Sequence, residues 1–333
     1  MKKVINKLLY YESEGFNPYF NLAVEECLLN NLNEGECILY LWQNQNTVVI
    51  GRNQNCWKEC RVSLLEEEGG RLARRLSGGG AVYHDLGNLN FTFITGRKDY
   101  DVARQLSVVI RALEDFRISP ELSGRNDVTV GGRKCSGNAF YRQGDSCYHH
   151  GTLLLEVDMA RMMRYLAVDP GKLAAKGVDS VRSRTVNLCS LAPDLTVASL
   201  KGRLREAFGS LYGLPVDRLP APGAGGAGLE EKYASPRWKY GRTADFSHRF
   251  SRRFPWGDAE ISLKVEEGRV TDALIRSDAM DFRWVPWAEQ RLLGRYFSSA
   301  ALARDLIKRE AEKEGIDGLL ITDIRSLILE QGF

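Results

Sequence analysis

Residues 71–93 read RLARRLSGGGAVYHDLGNLNFTF. Arg74 and Arg75 run into Gly78, Gly79 and Gly80, and Ala81, Val82 and Tyr83 follow. Consecutive glycines let backbone N–H groups point into a cavity with no Cβ in the way. Such a nest suits an anion, and neighbouring guanidiniums add charged, forked donors. No Gly-Lys-Ser/Thr follows, so this is not a Walker A loop. Gly78-x-Gly80-x-x lands on Tyr83, so a dinucleotide fingerprint fails too. The plainer reading is a sheet corner with close-packed glycines and solvated arginines.

Three other segments bear on that choice. GRNDVTVGGRKCSGN (124–138) places Lys134 just past a Gly131-Gly132 hairpin turn, where a short strand could aim it inward. The plainer reading is a lysine on a solvated face. HHGTLL (149–154) has Gly151 within an apolar strand, which suggests close approach of a ligand or backbone, or else a bulge. KLAAKGVDSVRSRTVN (172–187) carries Lys172, Lys176, Arg182 and Arg184 and reads as a loop or, beside an anion site, a lid.

The chain has 333 residues, 44% hydrophobic and 27% charged, which fits two globular domains or one with an appendage. A net charge of +3 argues neither for nor against nucleic acid, so any anion site must be local. No apolar run reaches a membrane span, and the start MKKVINKLLYYESEG is interrupted by Asn6 and Lys7, unlike a signal peptide. A cytoplasmic protein is expected. Seven cysteines, an odd number, suit reduced thiols. Cys56 and Cys60 form C-x3-C with no second ligand pair nearby, so zinc is not expected.

The elements that must position these residues follow from periodicity. Helices are expected at 18–32, 61–68, 103–117, 159–166, 196–212 (closed by Gly213), 229–240, 287–297, 299–314 and 320–331. Strands are expected at 36–42, 47–52, 80–84, 90–95, around Gly131-Gly132, and at 148–156, 259–265 and 269–276. RLPAPGAGGAG (218–228) is irregular. A domain boundary falls near 246–250, giving 1–246 and 250–333. Mixed, locally paired strands with helices point to an α+β fold rather than a doubly wound parallel sheet.

RRLSGGGAVYHDLGNLNFTF, GRNDVTVGGRKCSGNAFY, HHGTLLLEVD and KGVDSVRSRTVNL, in this order and spacing, closely resemble the lipoate–protein ligase A family. FNLAVEECLL, TVVIGRNQNCWKEC and the C-terminal RWKYGRTADFSHRF also match, so the resemblance spans essentially the whole chain. It implies a catalytic domain (1–246) of the biotin/lipoate-ligase type, with a mixed sheet and flanking helices, and a small α+β accessory domain (250–333). It also implies a two-step reaction. Lipoate and Mg-ATP give lipoyl-AMP and pyrophosphate, and the lipoyl group then passes to a lysine of a lipoyl domain. The partners implied are apo lipoyl domains of 2-oxoacid dehydrogenase complexes and the glycine cleavage H protein, met by a monomer, with no nucleic acid and no membrane.

Residue by residue, Lys134 matches the family's central lysine, which bridges carboxylate and α-phosphate oxygens and so offsets their repulsion. Arg75, rather than Arg74, matches the nucleotide-contacting arginine. Gly80, Ala81, Val82 and Tyr83 match the stretch lining the nucleotide, and Gly78 and Gly79 would leave room for the lipoyl chain. Asn126 and Asp127 match a pair near the adenylate. Asp127 would orient Lys134, contact Mg²⁺ or assist deprotonation of the target lysine. Lys176 and Arg182 belong to the matched adenylate-binding loop, Lys176 to Asn187. His150 matches the lipoate pocket wall, against the alternative of a satisfied core histidine. A second reading is a lipoyl or octanoyl transferase that takes a preformed acyl donor without ATP. For a cysteine nucleophile in such an enzyme, Cys147 and His149 would share a strand face, whereas Cys135 would point away from Lys134.

Overall fold

The computed structural model describes residues 5–123, 127–166, 185–220, 227–241, 247–266 and 268–332. The chain divides into two compact units. The first is Met1–Val49, Trp57–Arg74 and Val82–Lys239; the second is Ile50–Cys56, Arg75–Ala81 and Tyr240–Phe333.

The strands in chain order are β1 (Lys7–Glu12), β2 (Glu36–Trp42), β3 (Thr47–Ile50), β4 (Arg71–Arg74), β5 (Val82–His84), β6 (Asn88–Gly96), β7 (Glu121–Ser123), β8 (Asp127–Val130), β9 (Arg133–Gln143), β10 (Ser146–Leu154), β11 (Val216–Arg218), β12 (His248–Phe254), β13 (Gly257–Glu266) and β14 (Arg269–Ser277). The helices are α1 (Pro18–Asn30), α2 (Cys56–Glu59), α3 (Val62–Glu67), α4 (Val102–Glu114), α5 (Met159–Tyr165), α6 (Val197–Tyr212), α7 (Ala227–Ala234), α8 (Pro236–Tyr240), α9 (Trp284–Leu292), α10 (Ser299–Arg304), α11 (Lys308–Lys313) and α12 (Gly318–Glu330).

In the first unit an eight-stranded sheet runs β11-β1-β2-β6-β10-β9-β8-β7. β1 is parallel to β2 and to β11, and the other neighbours are antiparallel. The sheet is therefore mixed, as local pairing of the strands predicts. One face presents Leu89, Phe91, Phe93 and Leu153 to Val108, Val109, Leu113, Leu200, Leu204 and Phe208 of α4 and α6, making one apolar core. Local signals set the helix ends. Asn17 caps α1 ahead of Pro18, Thr196 and Ser199 form a capping box on α6, and Gly213 closes α6 at φ +69°. A small sheet runs β4-β3-β5.

The second unit holds the antiparallel sheet β12-β13-β14 with α9 to α12. Its core gathers Ile261, Leu263, Ile275, Trp284, Leu302, Ile321, Ile324 and Ile328. The fold is thus α+β, with a large mixed sheet and flanking helices followed by a small antiparallel sheet and helices. Among the described residues no helix is long and apolar enough to cross a membrane.

Several expected elements differ. The strand at 80–84 begins only at Val82, leaving Gly80 and Ala81 outside it. The helix at 299–314 is two helices, with Ile307 at extended φ/ψ as the cap of the second. The helix at 229–240 is also split, at Ser235 and Pro236, because proline forbids a continuous ladder. The helix at 287–297 runs from Trp284 to Leu292 instead. β1, β4, β7, β11 and β12 had no clear signal; three of them are only three or four residues long.

Candidate active site

Lys134 and Asp127 meet: Lys134 Nζ lies 2.8 Å from the Asp127 carboxylate, and both side chains are half-exposed. The backbone explains how. β8 and β9 pair as Asp127↔Gly137 and Val128↔Ser136, then Thr129↔Lys134, so Cys135 is an extra residue in β9. In a regular strand, residues 134 and 137 face opposite sides. The bulge at Cys135 brings Lys134 to the face that Gly137 and Asp127 share. Cys135 and Ser136 are fully buried, and Cys135 joins the apolar core. A Cβ at Gly137 would sit 2.8 Å from Lys134 Nζ, so the glycine is the slot in which the ammonium lies. Thr185 bridges to Lys134, and Val186 N–H donates to the Lys134 carbonyl at 2.9 Å. These contacts fix the backbone of Lys134 while its ammonium pairs with Asp127.

The same sheet face continues as a buried polar chain. Trp42 Nε1 donates to Thr92 Oγ1 at 3.1 Å, and Thr92 Oγ1 donates to Glu25 Oε1 at 2.7 Å. His150 Nδ1 lies 2.9 Å from the same carboxylate oxygen. His150 is therefore buried and held by a partner from α1. Sequence reading missed Glu25, Thr92 and Trp42. The available signal was an acidic residue within the apolar run FNLAVEECLL, since buried carboxylates need partners.

His149 points the other way. It packs on Phe91, Phe93 and Phe140, with Nδ1 3.1 Å from the Gln105 side-chain oxygen and Nε2 2.9 Å from Asn138 Oδ1. Burial pushes its pKa down to about 3. A neutral ring donates through one nitrogen only, so one of the two amides must present N–H. The buried Gln105 Nε2, which has no partner as placed, can turn to do so. Cys147 is fully buried and its thiol pKa is raised, chiefly by desolvation. A neutral, doubly engaged His149 is a poor base for it. β10 passes through Gly151 in unbroken register with β6, so the glycine marks no bulge. Its missing Cβ is replaced by Asn138 Oδ1 and the Phe91 ring, each 2.4 Å away.

The glycine stretch divides at Arg74. In the first unit, Arg74 is buried and donates to the carbonyls of Trp238 (2.9 Å) and Lys239 (2.9 Å), while Trp238 Nε1 returns a bond to the Arg74 carbonyl at 2.8 Å. It closes the end of α8. Also there, Tyr83 donates to Asn46 Oδ1 at 3.2 Å and packs on Tyr165, and Val82 pairs with Val49. In the second unit, the buried Arg75 guanidinium donates to Ser77 Oγ (3.0 Å) and to the carbonyls of Gly78 (2.6 Å) and Gly80 (2.8 Å). A Cβ on Gly78 would strike the carbonyls of Ala279 and Met280 at 2.4 and 2.5 Å. Gly79, at φ +88°, donates its N–H to Ala279. Nothing lies within 4 Å of a Cβ on Gly80, and Ala81 is half-buried. Asn126, Lys176 and Arg182 lie outside the described residues.

Comparison with known proteins accords with this arrangement. Residues 17–209 match the lipoyl protein ligase A/B catalytic domain, and residues 243–328 match the bacterial lipoate protein ligase C-terminus. P. falciparum LipL1, solved in complex with lipoate, is 28% identical, with a TM-score of 0.82 over 97% of this chain and 99% of that one. A bipartite lipoate protein ligase from Thermoplasma acidophilum, described with its E2 lipoyl domain, is 25% identical, with a TM-score of 0.64 over 74% of this chain and 100% of its own. A lipoate-protein ligase A bound with ATP is 25% identical, with a TM-score of 0.61 over 71% and 98%. The chain belongs to the lipoyl protein ligase A/B catalytic domain family and carries that family's bacterial C-terminal region.

Proposed function

We propose that this chain is an ATP-dependent lipoate–protein ligase. It joins lipoate to AMP with release of pyrophosphate, then passes the lipoyl group to a lysine of a lipoyl domain. The observation that carries the reading is Lys134, held by a bulge beside Asp127 in the space that Gly137 leaves. A compact ammonium there would draw the substrate carboxylate and the α-phosphate together. It would later polarise the carbonyl of the mixed anhydride. Arg75, Gly80, Ala81, Val82, Tyr83 and Asn126 are proposed for the nucleotide, with Gly78, Gly79 and His150 for lipoate. Lys176 and Arg182 are proposed for a loop that would shield the adenylate from water. Relatives solved with lipoate and with ATP support both substrates.

Among the described residues no cluster of three or more His, Cys, Asp or Glu side chains could hold a metal ion. Asp127 is a single, half-exposed carboxylate. That suits Mg²⁺ arriving on ATP phosphates, which keeps most of its shell as water and phosphate oxygen. The proposed partners are apo lipoyl domains and the glycine cleavage H protein, supported by the relative described with its E2 lipoyl domain. The proposed division is 1–246 and 250–333, and the proposed location is the cytoplasm. A buried, protonated Cys147 beside a neutral His149 weighs against a cysteine acyltransferase. The deciding assay supplies lipoate, Mg-ATP and an apo lipoyl domain. Pyrophosphate and lipoylated domain are expected. Product from an acyl thioester with no nucleotide, and none from lipoate with ATP, would overturn the reading.

A further inference from the structure

Asn88 and Asn90 lie two residues apart on β6 and so share a face, and both are buried. Asn88 Nδ2 donates to Asn90 Oδ1 at 3.0 Å. Asn88 Oδ1 and Asn90 Nδ2 are left buried without a partner. Turning both amides end for end exchanges the leftover donor and acceptor but removes neither. A buried amide donor left unmet is costly, and an acceptor group brought by a ligand would meet it.

Their surroundings indicate which partner. In register, Asn90 stands opposite Trp42 on β2 and Thr152 on β10. Thr152 Oγ1 accepts the Gly137 N–H at 3.2 Å, which leaves its hydroxyl hydrogen to donate elsewhere. The position of the missing Gly137 Cβ is 4.0 Å from Thr152 Oγ1 and 2.8 Å from Lys134 Nζ. One face therefore carries an amide donor, a hydroxyl donor and an ammonium on successive strands. Three donors on one face fit a carboxyl group, not an alkyl chain.

We propose that Asn90 and Thr152 contact the acyl substrate, donating to oxygen of its carboxyl group beside Lys134, with Asn88 as the positioning residue that orients the Asn90 amide. The inference rests on the ligase reading for the identity of the acid. In the first step one carboxylate oxygen bonds the α-phosphorus as the bond to pyrophosphate breaks. The other oxygen becomes the carbonyl held by these donors. In the second, the neutral target amine adds to the carbonyl carbon, the C=O electron pair moves onto the held oxygen, AMP leaves as the pair returns, and the nitrogen gives up one proton to solvent.

Equilibrium binding tests the contact without ATP or a lipoyl domain, so its outcome is separate from that of the ligase assay. Octanoate and octanamide are the probes, against wild type, Asn90→Asp, Asn90→Ser and Thr152→Val, with melting temperatures in parallel. Wild type should prefer octanoate. Asn90→Asp, an isosteric acceptor, should weaken octanoate about 10- to 100-fold and reverse the preference, while Asn90→Ser keeps part of it. Thr152→Val should weaken octanoate in the same direction. In turnover, the KM for lipoate should rise while the KM for ATP holds. An unchanged octanoate/octanamide ratio in Asn90→Asp would overturn the proposal, whether or not stability falls, and would leave the amides satisfied by a buried water only.

Discussion

The role proposed for Lys134 rests on position and charge together, so its replacements separate the two. Lys134→Ala should fold as wild type, because a half-exposed pair with Asp127 contributes little to stability. Its kcat/KM should fall by about 10²-fold or more, on the scale of losing one electrostatic group from a transition state. Lys134→Arg should not restore it, since a planar fork does not fit a slot shaped by one missing Cβ. Near-wild-type turnover in either variant would remove Lys134 from the mechanism. His149 makes a different residue-scale prediction. Its folded pKa lies at about 3, below its ordinary value near 6.5. The unfolded chain thus binds a proton between those values that the folded chain does not. The stability from its neutral burial is complete above pH 6.5 and falls as pH drops towards 3. In His149→Gln that contribution should vanish, flattening the slope by at most about 1.4 kcal/mol per pH unit. Urea midpoints for the two proteins at pH 7, 6, 5 and 4 would show it. Parallel curves would mean that folding leaves the His149 pKa where it is in the unfolded chain.

At the scale of elements, the bulge in β9 decides which face Lys134 serves, and the glycines around it differ in kind. At Gly137 an added Cβ meets the tip of a flexible lysine; at Gly151 it meets the Asn138 amide and an aromatic ring in the core. Gly137→Ala should therefore keep its melting temperature and lose about 10- to 100-fold in kcat through a displaced ammonium. Gly151→Ala should lose about 1–3 kcal/mol of stability by overpacking, and activity only as it unfolds. Denaturant curves paired with initial rates distinguish the two, and equal effects on both would contradict the assignment. The hairpin at Gly131-Gly132, α1 with its Asn-Pro start and α6 with its Gly213 stop were legible because each signal is local. The bulge was not legible. Lys134 and Cys135 look like ordinary neighbours on a strand, and the extra residue exists only relative to the register with β8.

For the whole molecule, metal and fold should separate. The cores of both units are apolar, and the described residues include no side-chain cluster suited to a metal. Under the proposed reaction, in which Mg²⁺ arrives on ATP, chelation with EDTA should stop adenylate formation yet leave the melting temperature unchanged. A fall in melting temperature on chelation, reversed by added metal, would show a structural ion.

The linear sequence determined the class of the fold, the locally signalled helices and hairpins, and the lysine proposed to carry the chemistry. Those rest on short-range periodicity, capping and turn chemistry, and on motifs kept in order. Tertiary structure decided which face each residue serves. Arg74 and Arg75 are adjacent and chemically identical, yet one closes a helix through the carbonyls of Trp238 and Lys239 and the other ties the glycine turn. His149 and His150 are adjacent too, one neutral in an apolar core and the other bound to Glu25. In a strand, neighbours part to opposite faces, and a single bulge exchanges the faces. What each face meets comes from elements distant in the chain, so composition and spacing alone could not assign it.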